Sequence, residues 1–325
     1  MSRVVVVTGA SAGVGRATAR AFGERGDRVA LLARGEHGLR DACGEVESAG
    51  GTALAIPTDV SDPEQVEAAA QRVEQELGEI DVWVNDAMTT VFSPFKELTP
   101  EEYRRATDVT YLGYVWGTMT ALRRMLPRDR GTIVQVGSAL SYRAIPLQAP
   151  YCAAKFAIRG FTDSIRTELI HDRSHVHITM VQLPALNTPQ FNWCETHLPK
   201  HPQPVPPIYQ PEVAADAIVW AAGHRRREHW VGGSTVKAIV GGSLAPWLAD
   251  RYLGRTGFRS QQTDAPVASD RPSNLYQPVA GLHATHGIFD DRATDGSAGT
   301  WLSEHRGRLS GVALAALATL ALLRH

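Results

Sequence analysis

Residues 4–15 read Val4-Val5-Val6-Val7-Thr8-Gly9-Ala10-Ser11-Ala12-Gly13-Val14-Gly15, a β-branched run that stops on a glycine-rich turn. Four consecutive valines favour an extended strand buried on both faces. The glycines let the backbone turn tightly, and a helix opening near Val14 aims its free N–H groups and its dipole back at the turn. A strand, turn and helix of this kind form a cradle for a pyrophosphate. Thr8, Gly9, Ser11, Gly13, Val14 and Gly15 are therefore candidate cofactor-binding residues. The apolar run is too short for the core of a signal peptide, so the segment is expected to be a strand and not a targeting signal.

Working outward, short apolar runs alternate with longer stretches of helical spacing as far as about residue 240, the pattern of strand–helix units around a parallel sheet. Candidate strands are 4–8, 29–33, 53–57, 82–85, 132–137, 178–183 and 235–240. Six or seven strands in one sheet with helices on both faces make a doubly wound α/β fold. Helix starts are marked at Ser61-Asp62-Pro63-Glu64 and at Thr99-Pro100-Glu101-Glu102, where a capping side chain precedes a proline at the first helical position. Between residues 184 and 211 eight prolines are interleaved with Phe191, Trp193 and Tyr209, so an irregular loop or lid is expected there.

The main domain spans 1–258. Residues 259–305 are rich in Ser, Asp, Gln, Gly and Pro without periodicity and read as a polar, irregular extension lacking its own core. The last segment, 306–325, carries an apolar stretch at 309–323 with only Ser310 and Thr319 polar, bounded by Arg306, Arg308 and Arg324. As a helix it is about 22 Å long, short of a bilayer crossing. It reads as a shallow membrane anchor, a helix packed on a partner subunit, or a frayed end.

The chain of 325 residues is 43% apolar and 21% charged, which excludes collagen-like, low-complexity and wholly disordered classes. With 33 basic and 34 acidic residues there is no field to gather nucleic acid. Three cysteines, Cys43, Cys152 and Cys194, show no C-x-x-C spacing, so neither a disulfide framework nor a zinc site is indicated and a reducing cytoplasm fits.

Two further constellations bear on chemistry. Dinucleotide sites commonly place an acid at the end of the second strand to hold a ribose hydroxyl, but here Ala33 stands there and Arg34 follows. A guanidinium pairs with a 2′-phosphate, so NADP(H) is favoured over NAD(H). Tyr151 and Lys155, four apart, project from one helix face. A nearby ammonium and a nicotinamide cation lower the pKa of a phenol, letting Tyr151 exchange a proton with a substrate oxygen that Ser138 also holds by a hydrogen bond.

Together these residues resemble the short-chain dehydrogenase/reductase family. The match runs to roughly residue 258 and comprises the turn at 8–15, Asp59-Val60, Asn85-Asp86-Ala87, Ser138 thirteen residues before Tyr151, Tyr151-Cys152-Ala153-Ala154-Lys155, and 184–188. The resemblance implies a Rossmann-type sheet with Tyr151 as acid-base, Lys155 on the nicotinamide ribose and Ser138 orienting the substrate. It also implies Asp59 and Val60 beside the adenine, Asn85 and Ala87 along the cofactor, Pro184 and Thr188 at the nicotinamide end, and a homodimer or tetramer. The family's Asn-Asn-Ala-Gly becomes Asn85-Asp86-Ala87-Met88, its post-strand glycine becomes Ala185, and the asparagine that holds a relay water aligns with Thr110, which joins the candidate catalytic residues.

His171, His175 and His177 lie in a polar turn and read as surface residues, so no metal is expected. Cys152 reads as a small buried side chain, and Arg225-Arg226-Arg227 as a solvated helix cap. The expected function is NADP(H)-dependent interconversion of a carbonyl and a secondary alcohol on a small apolar substrate walled by Phe191, Trp193 and Tyr209. The alternative is a cofactor-binding sensor or scaffold without turnover.

Overall fold

The valines at residues 4–7 are fully buried because successive side chains feed two different cores. Val5 and Val7 join Leu31, Val84 and Val134 in one, while Val4 and Val6 join Ala30, Trp83 and Ile133 in the other. An unbroken apolar run is what a strand covered on both faces requires. The computed structural model describes residues 2–297, 299, 300, 303 and 304.

Seven strands, β1 (Val4–Thr8), β2 (Arg28–Ala33), β3 (Thr52–Pro57), β4 (Val82–Asn85), β5 (Thr132–Ser138), β6 (His177–Leu183) and β7 (Glu228–Trp230), form one sheet. All neighbours are parallel, in the order β7-β6-β5-β4-β1-β2-β3. The first core is closed by α1 (Gly13–Gly23), α2 (Glu36–Ser48) and, later in the chain, Pro211–Ala222. The second is closed by α3 (Pro63–Glu76) and by residues of Gly113–Met125 and Ala149–His171. With α4 (Pro100–Thr107) between them in sequence, these later helices are α5 (Gly113–Met125), α6 (Ala149–His171) and α7 (Pro211–Ala222). The order reverses at β1 and β4, which places the cleft at their carboxyl ends.

The marked helix starts form as expected: Asp62 accepts from the Glu64 and Gln65 N–H groups, and Thr99 with Glu102 completes a capping box. The expected strand at 235–240 is corrected. Those residues lie in α8 (Gly233–Leu244), and Thr235 and Ile239, one turn apart, are its buried residues. Their β-branching concealed a helical spacing. The seventh strand is the shorter Glu228–Trp230, paired with Met180, Val181 and Gln182 of β6.

After α9 (Pro246–Ser260) the described residues form two short strands, Gln262–Pro266 against Lys200–Pro202 and Ala293–Thr294 against Ile208–Tyr209, and are otherwise largely irregular. The chain folds back onto the domain, burying Leu275, Val279 and Phe289. Phe289 packs with Phe92, Leu147, Phe191 and Ile208, so the extension shares a core with the 184–211 segment. The 309–323 stretch lies outside the described residues. Among the described residues no helix is long and apolar enough to cross a membrane. Phe289→Ala is expected to lower unfolding stability by about 3–5 kcal/mol, the cost of truncating a buried phenylalanine. Urea unfolding measures it, and a change below about 0.5 kcal/mol, ordinary for a surface site, would contradict the packed extension.

Candidate active site

The loops after β1 and β4 meet at the switch point. Gly9 has φ +73°, and a Cβ there would stand 2.8 Å from Cα of Ala87, so only glycine fits. The Thr8 hydroxyl accepts the N–H groups of Asp86 at 2.9 Å and Ala87 at 3.1 Å, pinning the two loops together. Ser138 ends β5 and accepts the Leu140 N–H at 3.1 Å, capping a short 3-10 turn. Tyr151 and Lys155 lie one turn apart on α6, and both line the same cavity as Ser138.

Lys155 is fully enclosed. Its Nζ donates to the Val136 carbonyl at 2.7 Å and to Oη of Tyr114 at 3.0 Å, and it lies 5.5 Å from the centre of the Tyr151 ring. Oη of Tyr114 in turn donates to the Val136 carbonyl at 3.0 Å. Burial pushes the Tyr151 phenol above its ordinary pKa, and the nearby Ser138 hydroxyl opposes that shift. The lowering expected from Lys155 is thus not supplied by the protein alone. Burial also pushes the Cys152 thiol up to about 11, as suits an inert side chain.

One cavity of about 1010 Å³ runs along this edge of the sheet. Gly9, Ser11, Gly13, Val14, Arg34, Asp59 and Val60 line one half. Ala87, Ser138, Tyr151, Lys155, Pro184 and Thr188 line the other. The structure therefore brings thirteen of the expected site residues to one surface, the thirteen just named. Thr8, Gly15, Asn85 and Thr110 are not on it. Thr8 acts from behind as the loop pin, and Gly15 allows close passage, since a Cβ there would meet the Gly9 carbonyl oxygen at 2.4 Å. The Asn85 amide is buried among Trp83, Thr118 and Gln135, tying strands together and not facing a cofactor.

The short chain dehydrogenase family model matches residues 3–196. The chain belongs to the short-chain dehydrogenase family. It is 33% identical over 283 residues to the uncharacterized oxidoreductase YxnA of Bacillus subtilis, spanning 86% of this chain and 80% of that protein. It is 32% identical over 166 residues to human 17-beta-hydroxysteroid dehydrogenase 13, about half of each chain (51% and 55%). A metagenomic short-chain oxidoreductase solved in complex with NADP superposes with a TM-score of 0.60 at 28% identity, covering 71% of this chain and 97% of that one. The chain is thus an oxidoreductase of this family, which binds NAD(P).

Departures from the family pattern become concrete in the structure. Thr110, aligned with the family's relay asparagine, is engaged by the loop after β4. Thr110 sits in a π-helical turn, Asp108–Leu112, where its hydroxyl donates to the Thr89 carbonyl at 2.6 Å and accepts the Thr89 N–H at 3.0 Å. It bolts the loop after β4, and the place beside Lys155 belongs to Tyr114. The substrate wall is also revised: Phe191 and Trp193 line the cavity, while the Tyr209 ring packs over Gly232. Leu244, Leu248, Tyr252 and Leu253 of α8 and α9 supply the remaining wall, unforeseen because 235–240 was expected to be a strand. The histidines expected at the surface have protein partners: His175 pairs with Asp129 at 2.5 Å and His177 bonds the Arg226 carbonyl at 3.1 Å. Of the arginines expected to form a solvated cap, Arg225 bonds the His175 carbonyl and Arg227 pairs with Asp163. Among the described residues no cluster of His, Cys, Asp or Glu could hold a metal.

Asp86 places a carboxyl group where the family carries an amide. It lines the cavity near Lys155 and accepts a hydrogen bond from the Gly15 backbone. Burial raises its pKa above the usual carboxylate range, and Lys155 opposes the rise. The folded protein therefore keeps a proton that the unfolded chain releases near pH 4. That contribution to stability is complete below the unfolded value and is lost as pH rises through the native value. Asp86→Asn is expected to remain folded and to gain melting temperature relative to wild type progressively above pH 4. Thermal melts between pH 4 and 8 decide it, and a pH-independent difference would refute the buried-carboxyl assignment.

Proposed function

We propose that the protein is an NADP(H)-dependent oxidoreductase that interconverts a carbonyl and a secondary alcohol on an apolar substrate. The observation that carries this reading is that Ser138, Tyr151 and Lys155 line one cavity with the glycine cradle, with Nζ of Lys155 5.5 Å from the centre of the Tyr151 ring. The cradle fits a dinucleotide because Gly9 keeps the loop open to close approach and Ser11, Gly13 and Val14 line the cavity at the start of α1.

Arg34 favours the phosphorylated cofactor. Its two hydrogen bonds go to the carbonyls of Asn274 and Tyr276, which are neutral, so no bonded carboxylate among the described residues matches its charge. Burial and the neighbouring Arg105 both lower its pKa, so a bound dianion there would relieve an unfavourable charge. Three of its five N–H groups are left for phosphate oxygens. The NADP carried by the metagenomic relative supports this choice.

When bound, the nicotinamide would supply or accept the hydride. Lys155 would hold the ribose hydroxyls with its ammonium, already oriented by Tyr114 and Val136. Ser138 would donate a hydrogen bond to the substrate oxygen. Tyr151 Oη would pass its proton to that oxygen in reduction and recover it in oxidation, its phenolate favoured by positive charge placed nearby. Phe191, Trp193, Leu244 and Leu248 would hold the apolar remainder of the substrate. The hydroxysteroid in the human relative's name agrees with a large apolar alcohol. A non-catalytic NADP(H) sensor is the second reading, motivated by the engaged hydroxyl of Thr110 and by Met88 in the cavity wall.

Tyr151→Phe is expected to reduce turnover of a carbonyl panel by about a hundred- to ten-thousandfold while NADPH still binds, the size of a lost acid-base group. Undiminished turnover would remove the proton-transfer assignment, and NADPH binding without consumption by wild type would establish the sensor. Arg34→Ala, which also unties the Asn274 and Tyr276 carbonyls, should weaken NADPH binding about tenfold to a hundredfold more than it weakens NADH binding, the worth of a charge-assisted hydrogen bond. Fluorescence titration with both nucleotides checks it.

A further inference from the structure

The polar extension beyond α9 forms little regular structure of its own, so its backbone carbonyls must find donors elsewhere. From Asn274 to Ala284 they find them on the cofactor cradle. Arg34 donates to the carbonyls of Asn274 and Tyr276, and Arg105 donates to that of Leu275 at 3.0 Å. Arg16 donates to the His283 carbonyl at 3.1 Å, and the Gly13 N–H to the Ala284 carbonyl at 2.9 Å. Arg16 and Arg105 are themselves fixed by Glu45 and Asp59, at 2.8 and 2.6 Å, so the strap rests on preset anchors.

The strap is also tied to the lid. The Asn274 N–H bonds the Trp193 carbonyl at 2.9 Å, and the His283 ring lies 5.6 Å from the Trp193 ring. Outside the cleft, Arg271 donates to the carbonyls of Phe191 and Cys194, and Asp290 accepts from Asn187 and Gln210. Asn274, Pro278, Val279 and His283 line the same cavity as Ser11, Gly13 and Arg34.

Resting on the dinucleotide reading above, we infer that residues 274–286 form the outer wall of the dinucleotide site. They enclose the adenosine and pyrophosphate half of a bound NADP(H), so that the nucleotide enters and leaves only when this strap lifts. The extension is then a binding element, contributed by a part of the chain far from the motifs that mark the cradle.

The test uses full-length protein and NADPH. Hydrogen exchange of wild type with saturating NADPH is expected to slow the amides of 272–286 at least tenfold. A doubly untied variant, Arg271→Ala with Asp290→Ala, is expected to release NADPH at least tenfold faster in stopped-flow fluorescence. Bound NADPH with unchanged exchange at 272–286 would overturn the enclosure. Faster exchange there on binding would also overturn it, marking the segment as a plug that the nucleotide displaces. Should the variant fail to fold, the wild-type exchange result decides alone. Absence of NADPH binding to wild type would instead sink the dinucleotide reading, and the enclosure with it.

Discussion

Everything at the cleft depends on how closely the loops after β1 and β4 approach each other. The parallel order makes those strands neighbours, and their loops leave the sheet at one point with no room for a side chain at Gly9. The Thr8 hydroxyl closes the contact from inside by taking two N–H groups of the facing loop. That contact sets where Asp86 stands relative to Gly15 and Lys155, and so where the glycine cradle lies relative to Tyr151. Two halves of one cavity thus share a single hinge of backbone contact.

The charges around the cavity are mostly settled within the protein. Arg16 with Glu45 and Arg105 with Asp59 are bonded pairs, and Lys155 lies near Asp86 with two oxygen acceptors of its own. Burial disfavours the charged forms of Asp86 and Lys155, while each favours the charged form of the other. Arg34 is different, because its bonded partners carry dipoles and no formal charge. A cation bonded only to neutral carbonyls at one end and a phenol at the other give the cavity a direction.

How much of this was legible in the sequence follows from how local each cause is. The strands at residues 4–8 and 82–85 were readable because every residue in them is buried, so all positions but the terminal Thr8 and Asn85 carry the apolar signal. The caps at Asp62 and Thr99 were readable because donor and acceptor lie within one turn. Helix α8 was missed because four β-branched residues imitate a strand when their spacing is not weighed against the glycine at 232. Tyr114 was missed for another reason: nothing in its neighbourhood distinguishes it from a core aromatic until α5, α6 and β5 bring it to Lys155. The same holds for the extension, whose only sequence signal was the lack of periodicity.

The polar contacts between the strap and the cradle run largely through the strap's main chain. Arginines and a glycine N–H hold carbonyl oxygens, groups that every amino acid carries. Side chains add to the grip at a few positions: Leu275 and Val279 are buried, Asn274 Oδ1 accepts from the Thr89 hydroxyl, and the His283 ring lies against Trp193. A wall held through its carbonyls keeps that part of its grip whatever side chains the carbonyl-bearing residues carry, and this attachment is written in the arginines of the domain and not in the extension.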